Sequence, residues 1–182
     1  MRAELLNRFN ANALIKTSHP FCDIMSTEER VTRNFIDAFS AFAAGELVSW
    51  ARTVSIGFER SNPGFFDRLA TAHTLATEGL TCYLGTCSDK PVATSTLYAS
   101  EKVAGIHVVS TIPEFRGRGF GAAMSALAVR EGFQSGCDLS SLQATPMGFP
   151  MYLKMGFRYI LDYLNWIVSP RYPTTHGRDG KT

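Results

Sequence analysis

The sequence predicts an α+β fold built on a mixed sheet, and three observations point there. Apolar residues recur three and four apart through the first half, which is the helical period. Near Leu80 the pattern changes to β-branched and aromatic runs separated by turn residues. Later a glycine-rich loop joins a strand to a helix and then to another strand, a β-α-β crossover beside an antiparallel hairpin. Too little chain follows that crossover to build a doubly wound parallel sheet.

The elements follow in order. Ser26-Thr27-Glu28-Glu29 has the S-x-x-E form of a capping box, and Val31, Phe35, Ala38, Phe39 and Phe42 follow at helical spacing until Gly45. Leu47, Trp50, Val54 and Phe58 make a second stripe. Asn62-Pro63 reads as a cap and a first-turn proline, opening a helix through Phe66 and Leu69 towards Ala76. Thr81–Thr86 and Val92–Ala99 flank the turn cluster Ser88–Pro91, hence a hairpin, with a third strand over Val103–Thr111. A helix is expected from about Gly119 to Ser135, with Phe120, Ala123, Met124, Leu127 and Ala128 facing inward and Gly136 ending it. Leu139–Ala144 reads as a strand, Pro146–Met155 as a short helix ended by Gly156, and Phe157–Val168 as a final strand.

At 182 residues the chain suits one domain with a substantial core. A formal charge of +2 argues against sequence-independent phosphate neutralisation, so no nucleic acid partner is expected. The cysteines Cys22, Cys82, Cys87 and Cys137 make no C-x-x-C pair, so neither a zinc site nor a redox motif is expected. They read as free thiols in a reducing compartment, with Cys82 and Cys87 on opposite faces of one strand. Met1–Phe9 lacks the apolar stretch of a signal peptide, and no run is long enough to span a membrane. A soluble, cytoplasmic protein is expected, with no membrane partner and a homodimer left open.

The most informative stretch is Ile112-Pro-Glu-Phe-Arg-Gly-Arg-Gly-Phe-Gly-Ala. Gly117, Gly119 and Gly121 alternate where a strand gives way to a helix, removing Cβ atoms that would keep backbone from a ligand. The first amides of a helix have no internal partner and carry the positive end of its dipole, which suits a diphosphate. Arg116 and Arg118 add positive charge at the same place. A tight turn with packing glycines is the bland alternative. A dinucleotide fingerprint, Gly117-x-Gly119-x-x-Ala122, is another, although the acidic residue it needs at the end of the next strand is missing.

Arg116-Gly117-Arg118-Gly119-Phe120-Gly121 resembles the R/Q-x-x-G-x-G/A signature of the GNAT superfamily of N-acetyltransferases, with Pro113 three residues before it. Met151-Tyr152-Leu153-Lys154-Met155-Gly156-Phe157 resembles that family's L-Y-x-x-x-G-F segment. The resemblance spans roughly Leu80 to Val168. It implies an acyl-CoA N-acyltransferase fold: a mostly antiparallel sheet with one splayed parallel pair and flanking helices. The domains expected are a helical segment of unclear role over 1–45, the acetyltransferase domain over 46–170, and a flexible tail over 171–182.

The resemblance also implies acetyl-CoA as co-substrate, no metal, and a small-molecule or peptide amine as acceptor. Coenzyme contacts are then expected from backbone at Val109, Ser110 and Thr111, from Arg116, Gly117, Arg118, Gly119, Phe120 and Gly121, and from Thr145. Thr145 stands where the family often has asparagine. Tyr152 falls at the family's proton-donor position; without the motif it would read as a packed tyrosine. The third strand carries no carboxylate to act as base. His107 is the candidate there, against a structural histidine or a water chain with no dedicated base. Glu114 reads as a solvated loop charge. Trp50, Phe58, Phe65 and Phe66 read first as core, second as an acceptor wall. A non-catalytic acyl-CoA sensor and a nucleotide-dependent oxidoreductase are the alternatives.

Overall fold

The computed structural model describes residues 5–17, 37–40, 44–59, 64–68 and 70–168. In chain order the strands are β1 (Leu5–Thr17), β2 (Asp37–Ser40), β3 (Leu80–Cys87), β4 (Lys90–Ser100), β5 (Val103–Thr111), β6 (Leu139–Ala144) and β7 (Arg158–Val168). The helices are α1 (Ala44–Gly57), the single turns α2 (Gly64–Asp67) and α3 (Ala72–Leu75), then α4 (Phe120–Gln134) and α5 (Phe149–Lys154). The strands form one seven-stranded sheet in the order β2-β3-β4-β5-β6-β1-β7. Only β5 and β6 run parallel; every other neighbouring pair is antiparallel. This is the mixed α+β sheet that the hairpin and crossover predict, and it is not doubly wound.

Alternation along the strands gives the sheet two apolar faces. On one, α1 buries Leu47, Trp50 and Val54 against Cys82 and Leu84, with Phe66 from α2. On the other, α4 buries Phe120, Met124 and Val129 against Tyr83, Leu97 and Ile106. Cys82 and Cys87 therefore pack on opposite faces, as their odd spacing predicts. Cys82, Cys87 and Cys137 are free thiols; Cys22 lies outside the described residues. Among the described residues no helix is long and apolar enough to cross a membrane.

The helical reading of residues 1–45 is corrected over 5–17 and 37–40, while Ala44 and Gly45 open α1. Leu5–Thr17 is a strand lodged between β6 and β7, burying Leu14 completely. Ala38 and Phe39, placed on a helix by spacing, pair instead with Gly85 and Leu84 on the edge of β3. A short apolar run fits either period, and here an available strand edge decides. The capping box at Ser26–Glu29 and the tail over 171–182 lie outside the described residues.

Two smaller boundaries also move. The single helix expected from Asn62 to Ala76 is two separate turns, α2 and α3. Between them, Thr71 Oγ1 accepts the Thr74 amide at 3.3 Å and restarts the chain, as short hydroxyl side chains do. In the hairpin, Ser88 and Asp89 alone form the turn, both with positive φ (49° and 59°), which matches strand twist and leaves Lys90 and Pro91 on β4.

The register of β4 against β5 contains the feature that shapes the site. Thr94 pairs with Ser110 and Thr96 with His107, so Val108 and Val109 together face Ser95. This is a β-bulge, and Val108 adopts a φ of +51°, a region that a β-branched side chain seldom enters. Buried Thr94 holds it. Thr94 Oγ1 donates to the Val108 carbonyl at 2.9 Å, and Ser110 Oγ, 2.8 Å away, donates in turn to Thr94.

Two stability predictions follow from this packing. A Cβ added at Gly132 on α4 would lie 2.4 Å from Ala104 Cβ on β5. Overpacking of about 1–3 kcal/mol offsets the ~1 kcal/mol gain in helix propensity, so Gly132→Ala should gain nothing and lose up to about 2 kcal/mol in urea unfolding. Thr94→Val keeps the volume but leaves the Val108 carbonyl without its donor; a loss of about 1–3 kcal/mol is expected, and an unchanged urea midpoint would contradict the bulge's dependence on that hydroxyl.

Candidate functional site

The parallel ladder joins Val103–Ile106 to Leu139–Leu142 and stops there, while β5 continues to Thr111. A bulge bends the strand that carries it, and the two strands part at Ile106, just ahead of the bulge at Val108 and Val109. The opening is a cleft of about 1530 Å³ whose walls are β5 from Ile106 to Thr111, the end of β6, the start of α4, one side of α5 with the turn before it, and the end of α1. Among the described residues no strand pairs with β5 on the β6 side beyond Ile106.

At the base of this cleft α4 begins. Its N-cap is Gly119, at a φ of +92°, and glycine brings no side chain to cap the first amides. Gly117 has a φ of +73°, and a Cβ there would meet nothing within 4 Å. The loop thus presents bare backbone to open space in front of a 15-residue helix, whose dipole places positive potential there. These are the features a diphosphate requires, so the residues present fit the coenzyme that the loop motif implies.

Eleven of the twelve residues expected to carry the site line this cleft: His107, Val109, Ser110, Thr111, Arg116, Gly117, Gly119, Phe120, Gly121, Thr145 and Tyr152. Arg118 does not. Its guanidinium lies over the rings of Phe115 and Phe120, at 4.8 and 5.6 Å from their centroids, beside the cleft mouth. Arg116 lines the cleft, but its charge is engaged. Its Nη2 donates to Gly57 O at 2.7 Å, Nε donates to Thr111 O at 3.3 Å, and Nη1 donates to the Glu59 carboxylate. Thr145 Oγ1 accepts the Gly148 amide at 3.3 Å, and Thr145 O accepts the Gly148 and Phe149 amides. That turn occupies 146–148, so α5 starts later than the helix expected from Pro146.

Tyr152 is buried on α5, its ring edge-on to Phe157 at 5.7 Å. Burial pushes its phenol above the ordinary value, and a hydrogen bond with Ser125 of α4 offsets part of that rise. It is therefore protonated throughout the neutral range. His107 stands on β5 with solvent-exposed surface, its ring folded over Gly105, where a Cβ would lie 2.6 Å from Nε2. Partial desolvation by the cleft lowers its imidazole below the ordinary value, which favours the neutral, proton-accepting form near pH 7. Among the described residues no group of three or more His, Cys, Asp or Glu side chains gathers to hold a metal.

The aromatic residues of the front half divide. Trp50 and Phe66 are core, whereas Phe58 lines the cleft and stacks on Phe66 at 5.9 Å. Sequence reasoning missed Thr94, Ser125 and Glu59. Thr94 and Ser125 look like ordinary strand and helix residues, and only the register and the facing helix reveal what they hold. Glu59 follows the apolar stripe of α1 and carries no local signal at all.

The sequence profile described as the acetyltransferase (GNAT) family matches residues 26–157. No curated protein matches the sequence. A functionally unknown conserved protein from Staphylococcus epidermidis ATCC 12228 superposes with a TM-score of 0.63 at 12% identity, over 86% of this chain and 60% of that one. A GCN5-related N-acetyltransferase from Kribbella flavida gives a TM-score of 0.59 at 18% identity, over 86% and 56%. AAC(6')-Iy in complex with the bisubstrate analogue CoA-S-monomethyl-acetylneamine gives 0.60 at 14% identity, over 76% of this chain and 98% of that one. The chain thus spans less than two thirds of the first two structures, and at these identities the likeness is one of fold. The cleft between parting strands, the glycine loop under it and a profile match over most of the chain lead to one conclusion: the protein belongs to the GNAT acetyltransferase family.

Proposed function

We propose that the chain is an acetyl-CoA-dependent N-acetyltransferase acting by direct attack of a primary amine, on a small molecule or peptide. One observation carries this reading: the unpaired edge of β5 and the uncapped start of α4 open into the same cleft. Backbone of Gly117–Gly121 takes the diphosphate, and Val109–Thr111 aligns the pantetheine arm as a ligand strand along β5. When bound, acetyl-CoA supplies an activated thioester. Tyr152 Oη, protonated through neutral pH, is the proton donor to the leaving group. His107 accepts the proton that the attacking amine must lose.

The lining favours an amine with an apolar body. Its one carboxylate, Glu59, is tied to Arg116, while Phe58, Met147 and Met155 are apolar. A polycationic acceptor finds little to pair with among the described residues. Residues 46–170 are taken as the catalytic domain, to whose sheet β1 and β2 are added. The free thiols of Cys82, Cys87 and Cys137 support a cytoplasmic setting.

Thiol release from acetyl-CoA over a panel of amines tests the proposal. Tyr152→Phe should lower kcat about 10²–10⁴-fold; turnover equal to wild type would remove Tyr152 from its role. Binding of coenzyme A without release on any amine would favour a binding domain instead. The pH profile tests His107. Burial disfavours imidazolium, so its pKa lies below 6.5, and kcat/KM should rise with pH through a midpoint below that value. In His107→Gln this acid limb should vanish; its persistence would assign the base elsewhere.

A further inference from the structure

The end of α1 is held from outside. Its last turn contains no basic residue, so the negative end of its dipole has no charge of its own to face. Arg116 supplies one through Nη2 on the Gly57 carbonyl. Gly57 also sits tightly on β5: a Cβ there would lie 2.6 Å from Ser110 Oγ and 3.2 Å from the Thr111 amide. Beyond it the chain turns through Glu59 at a φ of +52°, which brings that carboxylate back to Arg116 Nη1. One guanidinium therefore joins the end of α1, the end of β5 and the first residue of the glycine loop.

The same arrangement sets a carboxylate in the lining of a cleft whose other end-groups suit an anion. Glu59 is mostly exposed and Arg116 partly so, at 60% and 30% of their side-chain surface, so their attraction is screened and modest. Its consequence for a diphosphate is larger in kind than in size. With Arg116 present, Glu59 is neutralised; without it, a negative charge faces the ligand.

On the coenzyme reading given above, we propose that Arg116 is a positioning residue, not a phosphate ligand: it holds the Gly57–Glu59 turn against β5 and masks Glu59 from the coenzyme's diphosphate. The diphosphate itself is left to the backbone of the loop and the first turn of α4.

The test is a double-mutant cycle on coenzyme A affinity, read by titration calorimetry of the whole chain, which needs no turnover. Arg116→Gln should weaken binding roughly five- to tenfold by leaving Glu59 unpaired. Glu59→Gln should bind as wild type or up to about threefold tighter. The double variant should recover to within about threefold of wild type. A double variant as weak as Arg116→Gln would make Arg116 a direct ligand and overturn the inference. So would an Arg116→Gln protein that melts earlier yet binds coenzyme A normally, since that describes a purely structural role. Should Arg116→Gln fail to fold, the direction of Glu59→Gln decides, because weakening there contradicts masking. A wild-type protein that takes up no coenzyme A defeats the coenzyme reading, and this inference with it.

Discussion

One buried hydrogen-bond pair determines where this sheet opens. Thr94, itself bonded to Ser110, holds the Val108 carbonyl, and Val108 sits in a backbone region worth about 1–3 kcal/mol of strain for an ordinary residue. Strain of that size persists only where the surroundings over-determine it. The extra residue bends β5, its ladder to β6 ends at Ile106, and the strand edge that would have paired becomes the wall of a cleft. Every later feature of the site is placed relative to that wall.

Both helical layers serve the same opening. On one face α4 starts with an uncapped turn at the foot of the cleft and buries Phe120 and Met124 immediately after it, so its amides are fixed by the core. Ser125, one turn into that helix, donates to the Gly121 carbonyl at 2.8 Å and moderates the rise that burial imposes on the Tyr152 phenol of α5. On the other face, α1 ends against Ser110 and Thr111, and Arg116 closes the junction. The absence of a side chain at Gly57, like that at Gly132, sets how closely a helix approaches β5. The geometry of the cleft is thus a property of the core.

Much of this was legible in the sequence, for definite reasons. The hairpin, the third strand, the glycine loop and α4 announce themselves through local chemistry: a turn cluster, β-branched runs, alternating glycines, a helical stripe. The residues expected at the site are brought together because most lie on those elements. What could not be read is what depends on partners distant in sequence. Leu5–Thr17 becomes a strand through β6 and β7, both more than a hundred residues further on. Ala38 and Phe39 join the edge of β3 against their own spacing. The bulge at Val108 carries no glycine to mark it, and Arg116, whose charge looked available, is already bonded to Gly57, Thr111 and Glu59. Charge read from sequence gives position but not whether it has been used.

The central claim is that a phosphorylated thioester carrier lies along the bent part of β5 with its diphosphate on the first turn of α4. Amide hydrogen exchange with and without coenzyme A addresses it directly, residue by residue. Protection should rise at Val109–Thr111 and at Gly117–Ala122 together, with little change across β3 and β7. Binding that protects neither segment, or protects only residues outside the cleft, would contradict the account.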